Sequence, residues 1–321
     1  MKPILCNYYI TYRCNARCRF CDIWRASEYR EISDCSMTDV TGNLQQLKRI
    51  GVKFIDFTGG EPLLHPQLPD MLILAKQLGF YTSVTTNCLL YDDRANELHG
   101  LVDLLHFSLD SLNPDVHNGL RGRSTFDSVM TSIATAQALG ETPDLLFTVT
   151  PENIDSIDRL SEFAAEQRLM LIVNPIFKYC GQPELTMGML ERLDRYARKP
   201  YIYINAALHK LIRAGGNNTQ YPRCYAVSSS VVISPDNCVL VPCFHRAATR
   251  LPIRGNLQHI LESAEYKQQQ QMQGKHDFCA HCTINCYFDP SFQYRLDSYL
   301  ILSILSKAKY GFDKYIRRRL A

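Results

Sequence analysis

Three cysteines, Cys14, Cys18 and Cys21, stand in one short loop, Cys-Asn-Ala-Arg-Cys-Arg-Phe-Cys, directly after a predicted strand. Thiolates at this spacing are soft ligands for iron or zinc. A cubane [4Fe–4S] cluster has four irons, and ordinary electron-transfer sites give each one a thiolate. Three thiolates on one tight loop leave one iron without a protein ligand, free to bind and reduce a substrate or cosubstrate. The pattern therefore points to catalysis before electron storage. A closed zinc site is the competing reading, but it needs paired knuckles around a tetrahedron, and no fourth ligand stands near Cys21.

Thr58-Gly59-Gly60-Glu61-Pro62 comes at the end of the next predicted strand. Cys-x3-Cys-x2-Cys with an aromatic before the third cysteine, followed by Gly-Gly-Glu-Pro, resembles the radical S-adenosylmethionine (SAM) superfamily. The resemblance implies a [4Fe–4S] cluster on Cys14, Cys18 and Cys21 whose open iron is chelated by the amino and carboxylate groups of SAM. Reductive cleavage would release methionine and a 5′-deoxyadenosyl radical, with the electron coming from a donor such as flavodoxin or ferredoxin. By the same resemblance Glu61 and the Gly59–Gly60 backbone meet the SAM amino group. The two glycines allow a close backbone approach and Pro62 fixes the turn. Thr86-Asn87 ends the third strand where the family often carries Thr-Asn-Gly, and Cys88 replaces that glycine. Ser108 and Asp110 match positions that contact the SAM ribose and carboxylate. Arg121 matches an arginine that pairs with the carboxylate, a task suited to a guanidinium fork. Each of these polar residues also reads as an ordinary turn former or helix cap.

Elements that would position these residues follow from periodicity. Strands are predicted at Ile4–Ile10, Lys53–Thr58, Phe80–Thr86, Asp103–Leu109, Asp144–Thr150 and Leu169–Asn174. Between them Val40, Leu44, Leu47 and Ile50 share a helical face, as do Leu68, Met71, Leu72 and Ala75, and Val129, Ile133 and Ala136. Alternating βα units predict an α/β fold with a parallel sheet. The count falls short of a closed eight-fold barrel and agrees with the partial (β/α)6 TIM-like barrel that the resemblance implies. The expected division is a barrel over 1–205, a small cysteine-rich domain over 206–290 and a C-terminal helix over 291–321.

Six of the thirteen cysteines lie between Cys224 and Cys286. Cys224 and Cys243 bracket a predicted strand pair, and Cys279-x2-Cys282-x3-Cys286 follows. This resembles the SPASM/twitch extension of some radical SAM enzymes. A full SPASM domain needs a further cysteine and carries a glycine where Cys238 stands, so two complete auxiliary clusters are not expected. The shorter twitch pattern implies a second, auxiliary [4Fe–4S] cluster on Cys224, Cys243, Cys279 and Cys282, with Cys286 competing for one place. A zinc knuckle from the same thiolates stays open. Cys6, Cys35, Cys88, Cys180 and Cys238 read as packed thiols.

At 321 residues, 46% hydrophobic and 21% charged, the composition is that of a folded globular protein. Net charge of +3 is too small to argue for nucleic acid by itself, and no nucleic-acid partner is expected. The start, Met1-Lys2-Pro3-Ile4-Leu5-Cys6, lacks the apolar stretch of a signal peptide, and the cytoplasm is the expected compartment. In the tail, Leu302, Leu305, Phe312 and Ile316 fall along one side, with Lys307, Lys309, Lys314 and Arg317–Arg319 near it. Such a helix lies on an anionic membrane face or packs on the barrel with a solvated basic end. The expected activity is oxidation of an unactivated C–H bond in a small or amphiphilic intermediate such as a tetrapyrrole, isoprenoid or lipid. A chlorophyll-type ring methyl group is one example. Modification of a ribosomally made peptide is the alternative, weakened by a first strand so near residue 4, where peptide-modifying relatives often carry a peptide-binding domain. A non-catalytic iron–sulfur scaffold is the third reading.

Overall fold

The computed structural model describes residues 2–177 and 184–320; Cys180 lies outside the described residues. Six parallel strands stand where the periodicity puts them: β1 (Leu5–Thr11), β2 (Phe54–Gly59), β3 (Tyr81–Thr86), β4 (Leu104–Ser108), β5 (Asp144–Val149) and β6 (Leu171–Pro175). A short seventh, β7 (Ile202–Ile204), extends the run beside β6. On the other side of β1 lie β8 (Ser230–Ile233), β9 (Cys238–Val241) and β10 (Thr249–Pro252). The order is β10-β9-β8-β1-β2-β3-β4-β5-β6-β7 in one open sheet, so the fold is a partial α/β barrel. β8 runs parallel to β1 from Leu5↔Ser230 to Tyr8↔Ile233, which builds the cysteine-rich segment directly onto the barrel sheet.

Strand alternation separates two faces. Cys6, Tyr8 and Ile10 of β1 and Ile55 and Phe57 of β2 face outward and are fully buried. They meet Val40, Leu44 and Leu47 of the helix Met37–Ile50, and the same core takes in Leu68, Met71 and Leu72 of the helix Leu68–Gln77. Each such apolar side chain stabilises the barrel by about 1.5–3 kcal/mol. Several inward positions are polar: Asn7, Asp56, Ser83, His106 and Asn174. A parallel barrel that needed only stability would fill this lumen with branched aliphatics.

The tail forms a helix, Ser298–Gly311, continued by a π-helical stretch, Phe312–Arg317. It packs across β7 and the helix Ala206–Arg213, with Ser306 Oγ accepting from Ala206 N at 3.2 Å. Lys314 is buried, its Nζ 2.7 Å from Asp144 Oδ1 of β5. Lys309 and Arg317 both pair with buried Asp313 at 2.7 Å. Much of the positive charge in the tail is thus neutralised internally. Leu302 packs against the barrel, unlike its expected companions. The exposed apolar stripe is instead Ile301, Ile304, Leu305, Phe312 and Ile316. No helix among the described residues is long and apolar enough to cross a membrane.

Candidate active site

Cys14, Cys18 and Cys21 lie in the loop after β1, each partly buried. The loop is held by backbone from two directions. Gly60 N donates to Thr11 O at 2.9 Å and Glu61 N to Arg13 O at 2.8 Å, which closes the turn after β2 onto the loop stem. A Cβ at Gly59 would strike the Thr11 carbonyl, and one at Gly60 the Arg13 carbonyl. From the other side Arg17 N and Arg19 N donate to Arg121 O and Leu120 O at 3.0 and 2.9 Å. These carbonyls end the helix Pro114–Arg121, and Gly122, at φ 61°, packs against the Arg17 carbonyl. The Gly-Gly pair therefore serves chain-to-chain contact, whatever else it approaches.

Glu61 is 2% exposed. Its Oε1 accepts from Thr86 Oγ1 at 2.8 Å and Leu63 N at 3.2 Å, and its Oε2 from Asn87 N at 2.8 Å. Burial pushes the carboxyl up to about 7 against these hydrogen bonds. The side chain clips the β2 turn to the end of β3. Asn87 in turn donates to Asn15 Oδ1 in the cysteine loop at 2.7 Å. Cys88 takes φ 68°, the left-handed turn a glycine would supply, at a cost of roughly 1–2 kcal/mol. Pro62 opens the short helical turn Pro62–Leu64.

Ser108 and Asp110 close β4, and both are buried. Asp110 Oδ1 accepts from Thr148 N at 3.0 Å, and its Oδ2 lies 2.7 Å from Arg121 Nε. Burial pushes the Asp110 carboxyl up while Arg121 pulls it down. Arg121 Nη1 reaches Cys18 Sγ at 3.8 Å. Its Nη2 is buried without a hydrogen-bond acceptor among the described residues. His117 accepts from Asp110 N at 3.1 Å, and burial pushes its pKa down to about 3, so it stays neutral there. Burial also raises the thiols, Cys14 to about 12 and Cys21 to about 11.

Cys224, Cys243, Cys279 and Cys282 line one cavity of about 340 Å³ with Ile284 and Tyr287. Asn217, which the sequence shows only as part of a Gly-Gly-Asn-Asn turn, organises it. Its Nδ2 donates to Gly274 O at 2.8 Å and Cys279 O at 3.1 Å, its N to Cys282 O at 3.0 Å, and its Oδ1 accepts from Arg223 N at 3.0 Å. Cys286 is not among the residues lining this cavity. Cys238 is buried on β9 with Sγ 3.6 Å from Asp236 O. Tyr9 and Phe244, stacked at 4.0 Å, centre an apolar cluster. It takes in Tyr12 and Tyr29 from the first cysteine segment and Cys224, Cys243 and Cys282 from the second, joining the two sites through one core.

Residues 8–164 match the family described as the Radical SAM superfamily. These residues form a radical SAM domain. The chain is similar to a probable GTP 3′,8-cyclase of Archaeoglobus fulgidus, 26% identical over 220 residues that cover 66% of this chain and 71% of that protein. It is 29% identical over 192 residues to a probable GTP 3′,8-cyclase of Methanosarcina mazei, covering 55% of each. Among solved structures, Streptococcus suis SuiB bound to precursor peptide SuiA superposes with TM-score 0.67 at 17% identity, over 93% of this chain and 76% of that one. Native anSMEcpe with bound AdoMet gives TM-score 0.67 at 16% identity, over 98% and 99%. At these identities the structures speak for the fold.

The family implies a [4Fe–4S] cluster and SAM, and the residues present fit them. Three raised thiols on one loop need a cation to become thiolates. Beside them the buried Arg121 fork has donors left over, which suits a carboxylate.

Proposed function

We propose that this radical SAM enzyme oxidises an unactivated C–H bond in a small or amphiphilic substrate, with an auxiliary iron–sulfur cluster held by Cys224, Cys243, Cys279 and Cys282. The observation that carries the reading is the convergence of those four thiols on one cavity, separate from Cys14, Cys18 and Cys21. A zinc ion on the same thiolates is the competing occupant, and metal content separates the two.

When bound, the first cluster and SAM supply reductive cleavage to methionine and a 5′-deoxyadenosyl radical able to take hydrogen from carbon. An auxiliary cluster held by Cys224, Cys243, Cys279 and Cys282 would supply an electron acceptor, which favours net two-electron oxidation. The chain's own residues set the geometry. Cys14, Cys18 and Cys21 would hold the first cluster. The Gly59–Gly60 backbone and Glu61 shape the wall where the SAM amino group would lie. Arg121, steadied by Asp110, would offer its Nη2 to the SAM carboxylate, and Asn87 and Ser108 would face the nucleoside.

The foot of the barrel supports an amphiphilic substrate. A cavity of about 940 Å³ opens there between Leu5, Phe54, Tyr81 and Leu104 on the strands and Leu300 and Ile304 on the tail, with Ser83, Asp289 and Lys307 also in its lining. Ile304 also belongs to the exposed apolar stripe, so the cavity mouth adjoins the surface that would meet a membrane or a lipophilic carrier. Reconstitution without oxygen tests the cluster assignment. About eight irons per chain are expected, and four irons plus one zinc would remove it.

A further inference from the structure

The inward face of the strands carries a polar layer that neither cysteine site uses. Asn7 on β1 and Asp56 on β2 are register partners, as are Asp56 and Ser83 of β3. Ser83 Oγ donates to Asp56 Oδ1 at 2.5 Å. Asn285 closes the layer from across the lumen, its Nδ2 donating to Asn174 Oδ1 of β6 at 2.8 Å. Cys286 comes next in the chain. It is exposed; the bond from its neighbour Asn285 to Asn174 on the inward face of β6 sets it at the edge of this layer, with Asp56 and Asp289 as the carboxylates whose charge reaches it.

Two atoms of this layer are unmatched. Asn7 is 6% exposed, and its Nδ2 has no acceptor among the described residues. Asn285 Oδ1 likewise has no donor. A buried amide left unmet costs about 1–3 kcal/mol, a cost that valine at position 7 would avoid. A ligand group that accepts from Asn7 and donates to Asn285 would satisfy both. An ammonium would leave Asn7 unmet, and a carboxylate would leave Asn285 unmet and face Asp56.

We infer that Asn7, Asn285 and Cys286 form a substrate subsite in the barrel lumen for a neutral amide- or lactam-like edge, with Cys286 touching substrate instead of iron. Calling the occupant a substrate rests on the radical SAM reading of the barrel; the subsite is independent of the auxiliary cluster. Iodoacetamide carries such an amide and alkylates thiols, so it serves as the probe on the anaerobic, cluster-loaded enzyme. Cys286 should be alkylated at least about tenfold faster than buried Cys6, with a rate that saturates in iodoacetamide. In Asn7→Leu the saturation should disappear, while methyl methanethiosulfonate, which lacks an amide, should react without saturation in both proteins. A maleimide on a long polyethylene glycol chain should not reach the thiol. Cys286→Ser should keep the full iron content, in contrast to Cys279→Ser. Loss of iron in Cys286→Ser, or a Cys286 as unreactive as Cys6, would overturn the inference. If Cys279→Ser also kept its iron, the auxiliary cluster would fall while the labelling result still decided the subsite.

Discussion

Arg121 joins the helix Pro114–Arg121 to the cysteine loop by backbone and by charge, and its guanidinium lies between Asp110 and Cys18. Removing one partner of a buried ion pair strands the other, at about 3–5 kcal/mol. Arg121→Ala should therefore lower stability to urea by that amount, and adding Asp110→Asn should recover part of it. Glu61 makes a second residue-scale prediction. Its carboxyl is raised from 4.5 to about 7, so the folded chain holds this proton more tightly than the unfolded one. The stability this contributes is complete below pH 4.5 and is lost as pH rises through about 7. Denaturation of the cluster-free protein across that window should show a smaller decline in Glu61→Gln than in wild type. An identical decline in the two would assign the pH dependence to other groups.

At the scale of elements, the turn after β2 is a docking surface for the loop after β1. Gly60→Ala would place a methyl group on the Arg13 carbonyl. Overpacking of this kind typically costs about 1–3 kcal/mol, and here the part that moves carries Cys14. The variant should fold but take up less iron at the first site, as read by its electron paramagnetic resonance signal. The tail makes a separate prediction. Replacing Ile301, Leu305 and Ile316 by serine spares Lys314, Asp313 and the packed Leu302, so melting should change little. Binding to anionic phospholipid vesicles should drop if the stripe meets membrane, and unchanged binding would remove the lipid role.

Across the whole molecule, β1 to β6 are legible in the sequence because apolar strand runs alternate with amphipathic helices closed by Gly51, Gly79 and Gly140. The three-residue β7 is too short to show periodicity. That β8 adds to β1 depends on contacts more than 200 residues apart in sequence, between Leu5 and Ser230. Spacing brings the first three cysteines together because one loop carries them. It cannot separate Cys286 from Cys282, since only the course of the helix Asn285–Ser291 leaves Cys286 out of the cavity that Cys282 lines. Glu61 looks the same in sequence whether it binds a ligand or clips β2 to β3. Asn217 carries no chemical signature, since its work is done through neighbouring carbonyls.

The most direct test of the central claim follows SAM cleavage in a protein whose first site alone is removed. Wild type and the triple variant Cys14→Ala, Cys18→Ala, Cys21→Ala would be reconstituted anaerobically, reduced, and supplied with SAM. The account predicts 5′-deoxyadenosine from wild type, none from the variant, and about four irons retained at the four-thiol cavity. Persistent 5′-deoxyadenosine formation by the variant would contradict it.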